Sequence, residues 1–369
     1  MAQGRKALNN LLSGKVSWPP VVVPFGLDPF GWHGEHLSYS EVCNFALEHC
    51  TLLPKVYPFP DPLAFGMGDV CTVMTVYVED DMTMVNRYEL TGSDKLLYME
   101  KVQTPGDASW KVRKRWIEND DDLDYFINLS GVTPAEPDVD AVRKKEQQVC
   151  SHGLPYVEVN DPFYTVSEMF PTDTFFIKTL TDTERVTMLL SQAEERILYG
   201  IETLCREAGC PFILRLIGAE MAAPPFMSRD DFLRFEGRFY YRAADIACRY
   251  GIPAAFHCHG PVSKIMNDVW GMGYSIIEPF EPKPRGDVTI AHAFDITKGR
   301  GMVFGGIDEV IFMNGTQNDV RAAVSCCLDD ARDTCAPYIL SQTATPFYDP
   351  LTDTAKKNML LFMELGIQG

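Results

Sequence analysis

Pro253-Ala254-Ala255-Phe256-His257-Cys258-His259-Gly260 sets two histidines one residue apart at the end of a short apolar run. Side chains alternate across a strand, so His257 and His259 share one face while Phe256 and Cys258 share the other. Gly260 then permits a sharp turn. A strand that ends this way fits the C-terminal rim of a parallel barrel, where barrel enzymes carry their sites.

Outward from this strand, helical and extended patterns alternate. Upstream lie a helix at 183–208 ending before Gly209, a strand at 212–217 and a helix at 229–250. Downstream come a helix at 261–270, strands at 274–277, 288–291 and 302–304, a helix at 319–334, a strand at 338–340 and a closing helix at 352–365. Near the start, a helix at 5–12, a strand at 20–24 and a helix at 40–50 are expected. Strands alternating with helices imply a parallel sheet. From about 70 to 119 the pattern changes: VCTVMTVYV, VNRYEL, KLLYMEKVQT and SWKVRKRWI are β-rich and separated by Asp, Gly and Pro. The expected fold class is α/β: a (β/α)8 TIM barrel in one domain over 1–369, with an N-terminal region and an antiparallel β insertion. An open doubly wound sheet is the alternative, but the chain has no GxGxxG turn.

A length of 369 residues, 46% of them hydrophobic and 23% charged, allows a large core and excludes a disordered chain. A formal net charge of -18 argues against nucleic acid as a partner, since phosphate contacts need basic surface. MAQGRKALNNLLSGKVSWPP lacks the apolar core of a signal peptide, and no apolar run is long enough for a membrane span. The expected location is cytoplasmic, with the eleven cysteines as free thiols. Cys205, Cys210, Cys326 and Cys327 read as core thiols, not a metal motif.

Two neutral imidazoles on one face begin a zinc site. The remaining ligands are sought at neighbouring strand ends: Glu220 in RLIGAEMAAPP, and Glu281 in IIEPFEPKPRGD, with Glu278 three residues before it. Glu220, His257, His259 and Glu281 form the expected ligand set, the choice between Glu281 and Glu278 staying open. The other reading of the histidine pair is hydrogen bonding to loops. In the loop FGLDPFGWHGEH, Asp28 and His33 are candidate catalytic groups, and Phe30 and Trp32 could flank an aromatic ring; the alternative is ordinary loop packing. His292 in TIAHAF is read either as a proton donor or as a structural histidine. Asp308 is a candidate to orient a ligand histidine, and Arg215 faces the barrel interior or serves structure alone.

His257-Cys258-His259-Gly260 resembles the HxCG motif of the uroporphyrinogen decarboxylase superfamily, in its branch of zinc-dependent, corrinoid-linked methyltransferases. RKALNNLLSGK, FGGID at 304–308 and YILSQTATP at 338–346 extend the resemblance over nearly the whole chain. GAEMAAPPFMSRDDF and EPFEPKPRGD look like a subgroup associated with methyl removal from methoxylated compounds. The resemblance implies a small-molecule methyl donor, Zn2+, and methyl transfer to the cobalt of a corrinoid carried by a separate protein. His259 stands where thiol-methylating members have a cysteine, and Ala344 stands near their second one. Nitrogen and oxygen ligands make a harder zinc site, suited to polarising an oxygen. The loop at 25–36 has no arginine, unlike the cluster that binds porphyrinogen carboxylates. The alternatives are a related decarboxylase of another substrate, or a non-catalytic subunit of a methyltransferase complex. Barrels of this kind commonly pair, which makes a homodimer one candidate while the sequence leaves the oligomeric state open.

Overall fold

The computed structural model describes residues 3–16, 18–59, 71–77, 82–90, 96–105, 110–129, 132–332, 334, 336–344, 347 and 349–369. Its strands, in chain order, are β1 (Val21–Val23), β2 (Lys55–Val56), β3 (Cys71–Tyr77), β4 (Met84–Leu90), β5 (Tyr98–Gln103), β6 (Lys111–Lys114), β7 (Tyr156–Asn160), β8 (Ile213–Ile217), β9 (Ala254–His257), β10 (Ile276–Phe280), β11 (Met302–Ile307) and β12 (Tyr338–Gln342).

Eight of them form one sheet in the order β1-β12-β11-β10-β9-β8-β7-β2. Every pairing in it is parallel. Its two outer strands approach each other: the Thr51 N–H donates to the Val22 carbonyl at 3.0 Å, just ahead of β2. The sheet therefore curls round as a (β/α)8 barrel.

Alternation along each strand divides the apolar side chains into two clusters. Val21, Val23, Tyr156, Ile213, Ala255, Ile276, Met302, Phe304 and Ile339 fill the barrel. Val22, Val157, Leu214, Leu216, Phe256, Ile277, Val303 and Leu340 pack outward against the helices. The helix Thr183–Glu207 meets them with Val186, Leu189, Leu190, Ile197, Leu198, Ile201 and Leu204, a stripe spaced by three and four.

Strands β3 to β6 form a separate antiparallel sheet, the expected insertion. Tyr88 and Met99, opposite each other across β4 and β5, are buried with Leu90 in the main core cluster.

Two barrel strands lie outside the sequence expectations, β2 and β7. One expected strand is corrected. The stretch 288–291 starts a helix, Ile290–Thr297, because the Thr289 hydroxyl accepts the His292 N–H at 3.2 Å. That N-cap satisfies an orphan donor and outweighs the β-propensity of Val288 and Ile290. The helix expected at 229–250 is two, Arg229–Phe235 and Gly237–Arg249, broken at Glu236.

Candidate metal centre

Strand β9 is fixed from its outer face. Phe256 packs edge-on to Tyr240 at 4.9 Å and to Tyr274 at 5.8 Å between ring centres. Burial of such a side chain is worth about 1.5–3 kcal/mol, and it aims His257 and His259 inward by alternation. Cys258, facing the other way, is buried, and that burial pushes its thiol well above its usual range.

Glu220 arrives from the turn after β8. Gly218 takes a φ of 116°, and a Cβ there would meet the Tyr164 Cβ at 2.5 Å. Glycine is what lets this turn pass so close to the neighbouring loop. Ligand atoms of Glu220, His257 and His259 lie within 4.8 Å of one another. His257 Nε2 and Glu220 Oε1 are 3.4 Å apart. Two ligands on a tetrahedral zinc with bonds of about 2.0–2.1 Å would be roughly 3.3 Å apart, so this spacing fits the ion.

The two other glutamates sit behind the imidazoles. Glu278 is opposite His257 in the β9–β10 register, and its Oε2 is 3.0 Å from His257 Nδ1. Arg215 Nη2, which can only donate, stands 2.6 Å from the same Nδ1, so a metal on Nε2 would require Nδ1 to carry its proton toward Glu278 in place of accepting from Arg215. Glu281 Oε1 lies 3.1 Å from His259 Nδ1, while its Oε2 accepts the Gly260 N–H at 2.8 Å. Both carboxylates thus orient histidines. The set of donors brought together is Glu220, His257 and His259, with Glu281 one step out.

Beneath lies a buried ionic chain. Arg215 Nε donates to Glu278 Oε1 at 2.5 Å, and its Nη1 donates to Glu158, which also pairs with Lys55 at 3.1 Å. Arg215 Nη2 approaches His257 Nδ1 at 2.6 Å. Burial opposes ionisation of Glu278, but the Arg215 charge and the His257 hydrogen bond hold it well below the usual carboxylate range. Burial, with the Arg215 charge, lowers His257 and favours its neutral form. Burial alone would lower His259, yet its bond to Glu281 raises it.

A cavity of about 360 Å3 opens over these groups. Phe25, Tyr164 and Phe347 supply aromatic wall, and Lys55, Glu158 and Arg215 line it together with Glu220 and the histidines. Ala344 lines it too.

The other sequence candidates lie elsewhere. Asp28 pairs with Lys145 at 2.6 Å and accepts the Phe30 N–H at 2.9 Å. His33 is buried, accepts the Asp28 N–H through Nδ1 at 3.2 Å and packs on Phe347 at 4.7 Å. Trp32 stacks on His36 at 4.0 Å, and Phe30 is 6.3 Å from His152. This loop supports the cavity wall through Phe347; none of its four candidates lines the cavity. His292 is exposed in the first turn of its helix and is likewise absent from the lining. Asp308 caps the helix Glu309–Asn314 by accepting the Val310 N–H at 2.9 Å, away from either ligand histidine. Among the polar lining residues, sequence reasoning missed Lys55, Glu158, Asn160, Tyr164 and Thr343. For Lys55, Glu158 and Asn160 the signal was a polar residue at every second position of YVEVN and a lysine between the prolines of PKVYP.

No protein-family profile matches the chain, and no curated protein matches it in sequence. Among solved structures it is similar to a methyltransferase from Methanosarcina mazei, with a TM-score of 0.64 and 14% identity, covering 100% of this chain and 99% of the other. A B12-independent methionine synthase from Shewanella sp. W3-18-1 is a more distant likeness, with a TM-score of 0.46 and 12% identity over 80% of this chain and 74% of that one. At these identities the likeness to the Methanosarcina protein establishes the shared barrel fold.

Proposed function

We propose that this protein is a zinc-dependent methyltransferase that removes a methyl group from an ether oxygen of a small molecule, a methoxylated aromatic, and delivers it to the cobalt of a corrinoid held by a separate protein. The observation that carries this reading is the Glu220, His257 and His259 donor set at the barrel mouth, open onto an aromatic-walled cavity. A zinc ion held there supplies Lewis acidity toward an ether oxygen, which is otherwise a poor leaving group.

The chain's own residues do the rest. Glu278 and Glu281 hold the imidazoles in register, and Arg215 fixes Glu278. Phe25, Tyr164 and Phe347 offer the faces against which a ring would lie. The fold shared with a methyltransferase supports the reading, as does the family resemblance of the HCHG stretch.

Metal analysis of the purified protein beside a His257→Ala, His259→Ala double variant tests it. The expected result is about one zinc per chain, lost in the variant, with methyl transfer from methoxylated aromatics to a reduced corrinoid protein following the metal. A wild-type protein that binds no zinc overturns the proposal.

A further inference from the structure

The charges around the cavity close to zero in a way that bears on what can enter it. Two cations line it, Lys55 and Arg215, and two carboxylates, Glu158 and Glu220. Behind the imidazoles stand two more carboxylates, Glu278 and Glu281. Four carboxylates against two cations leave a deficit of two positive charges. A divalent ion on neutral imidazoles makes it up. The charges of these six groups are then matched.

The pairings are local as well as numerical. Glu158 is buried and bonded to both cations. Those two charges hold its carboxyl below the usual range despite its burial. Phe25 then covers the same two cations, with its ring centre 5.1 Å from the Lys55 ammonium and 4.9 Å from the Arg215 guanidinium. With Glu278 matching Arg215, the Lys55, Glu158 and Phe25 part of the lining therefore presents a neutral, hydrogen-bonding and aromatic surface. Removing methyl as a cation equivalent leaves the electron pair of the broken C–O bond on oxygen. The reduced corrinoid cobalt brings the pair for the new bond. An uncharged ether thus becomes an anion only where its oxygen would meet the metal.

We infer that the cavity selects uncharged methoxylated rings over rings bearing a carboxylate or an ammonium group, and that Glu158 sets this preference by neutralising Lys55 while Glu278 matches Arg215. The inference rests on the methyl-ether reading of the site. An unmatched unit charge beside these ion pairs disfavours binding by about tenfold or more.

The test is calorimetric binding to the zinc-loaded full chain of three ligands that share one ring and one ether: meta-methoxybenzyl alcohol, meta-methoxybenzoate and meta-methoxybenzylamine. The alcohol is expected to bind about tenfold more tightly than either ion. Glu158→Gln, which leaves a cation unmatched, should shift preference toward the benzoate by a similar factor. Lys55→Met shifts it toward the amine, and gives a second readout should Glu158→Gln fail to fold. Benzoate binding to the wild type as tightly as the alcohol overturns the inference and leaves the ether reading standing. No binding of any of the three overturns the ether reading, and the inference with it.

Discussion

The two halves of the barrel interior are built differently. Strands β2, β7, β8, β9 and β10 send Lys55, Glu158, Arg215, His257 and Glu278 inward, joined in one ionic chain. Strands β11, β12 and β1 send Met302, Phe304, Ile339, Val21 and Val23, all apolar. Phe25, just after β1, bridges the halves: it meets Phe304 edge-on at 5.7 Å and covers the cations of the other side. Desolvating so many charges costs several kcal/mol per ion, and their mutual attraction returns that only when every partner is present. The apolar half stabilises the ring without such conditions. Apolar side chains from both halves, Tyr156, Ile213, Ala255 and Ile276 among them, thus hold the barrel together, and one half also spends stability on orienting histidines.

The strongest test of that division is Glu278→Ala. It removes the acceptor behind His257 and one partner of Arg215, leaving a buried charge short of compensation. About 3–5 kcal/mol of stability should be lost, and zinc affinity should fall by about 10- to 100-fold. Phe304→Ala is the control from the other half. A cavity of that size costs a comparable amount, about 3–5 kcal/mol, with zinc affinity unchanged. Chemical denaturation together with a competitive zinc titration reads both effects. Loss of zinc binding in Phe304→Ala would erase the contrast.

A pH series sharpens it at the back of the polar half. Asp161 and Glu236 are both buried. Burial raises the first, and burial with the Asp161 charge raises the second well above the usual carboxyl range. Glu236 Oε1 accepts the Phe163 N–H at 2.8 Å, while Oε2 has no partner among the described residues. A carboxyl raised in the folded chain stabilises it below the unfolded value and loses that contribution as pH climbs through the folded one. Stability should therefore decline as pH rises from about 4 toward neutrality. Glu236→Gln keeps the Phe163 bond, removes the titration and should gain about 1–3 kcal/mol at pH about 8. A melting-temperature profile that declines as steeply in Glu236→Gln as in the wild type would show that this carboxyl is not responsible.

How much of this was legible in the sequence follows the same division. The alternation in AAFHCH foretold which side chains face in, because a period of two needs no partner strand. Strand β2 was hidden: a strand of two residues, set among prolines, carries no period. Glu158 made YVEVN look polar, and its meaning depended on Arg215 lying opposite it in β8. Glu281 was expected on the metal and stands instead at Nδ1 of His259. Which side of an imidazole a carboxylate takes is set by register and rotamer, neither visible in one strand's sequence. Thr289 shows the converse, a cap whose local bond overrode a strand-like run.

The smallest expected effect comes from the loop after β1, whose residues suggested catalysis by composition alone. Asp28→Asn keeps an acceptor for the Phe30 N–H and loses only the charge pairing with Lys145. Such a pair is worth at most about 1 kcal/mol, so the melting temperature should move by only a few degrees. Neither the zinc stoichiometry nor kcat should change by more than about twofold, because Asp28 reaches neither the cavity nor the donor set. His33 carries the loop's influence to the cavity, through packing on Phe347. A tenfold fall in kcat for Asp28→Asn at unchanged stability would break the comparison, since chemistry would then be shared by the half of the barrel whose interior carries no charge.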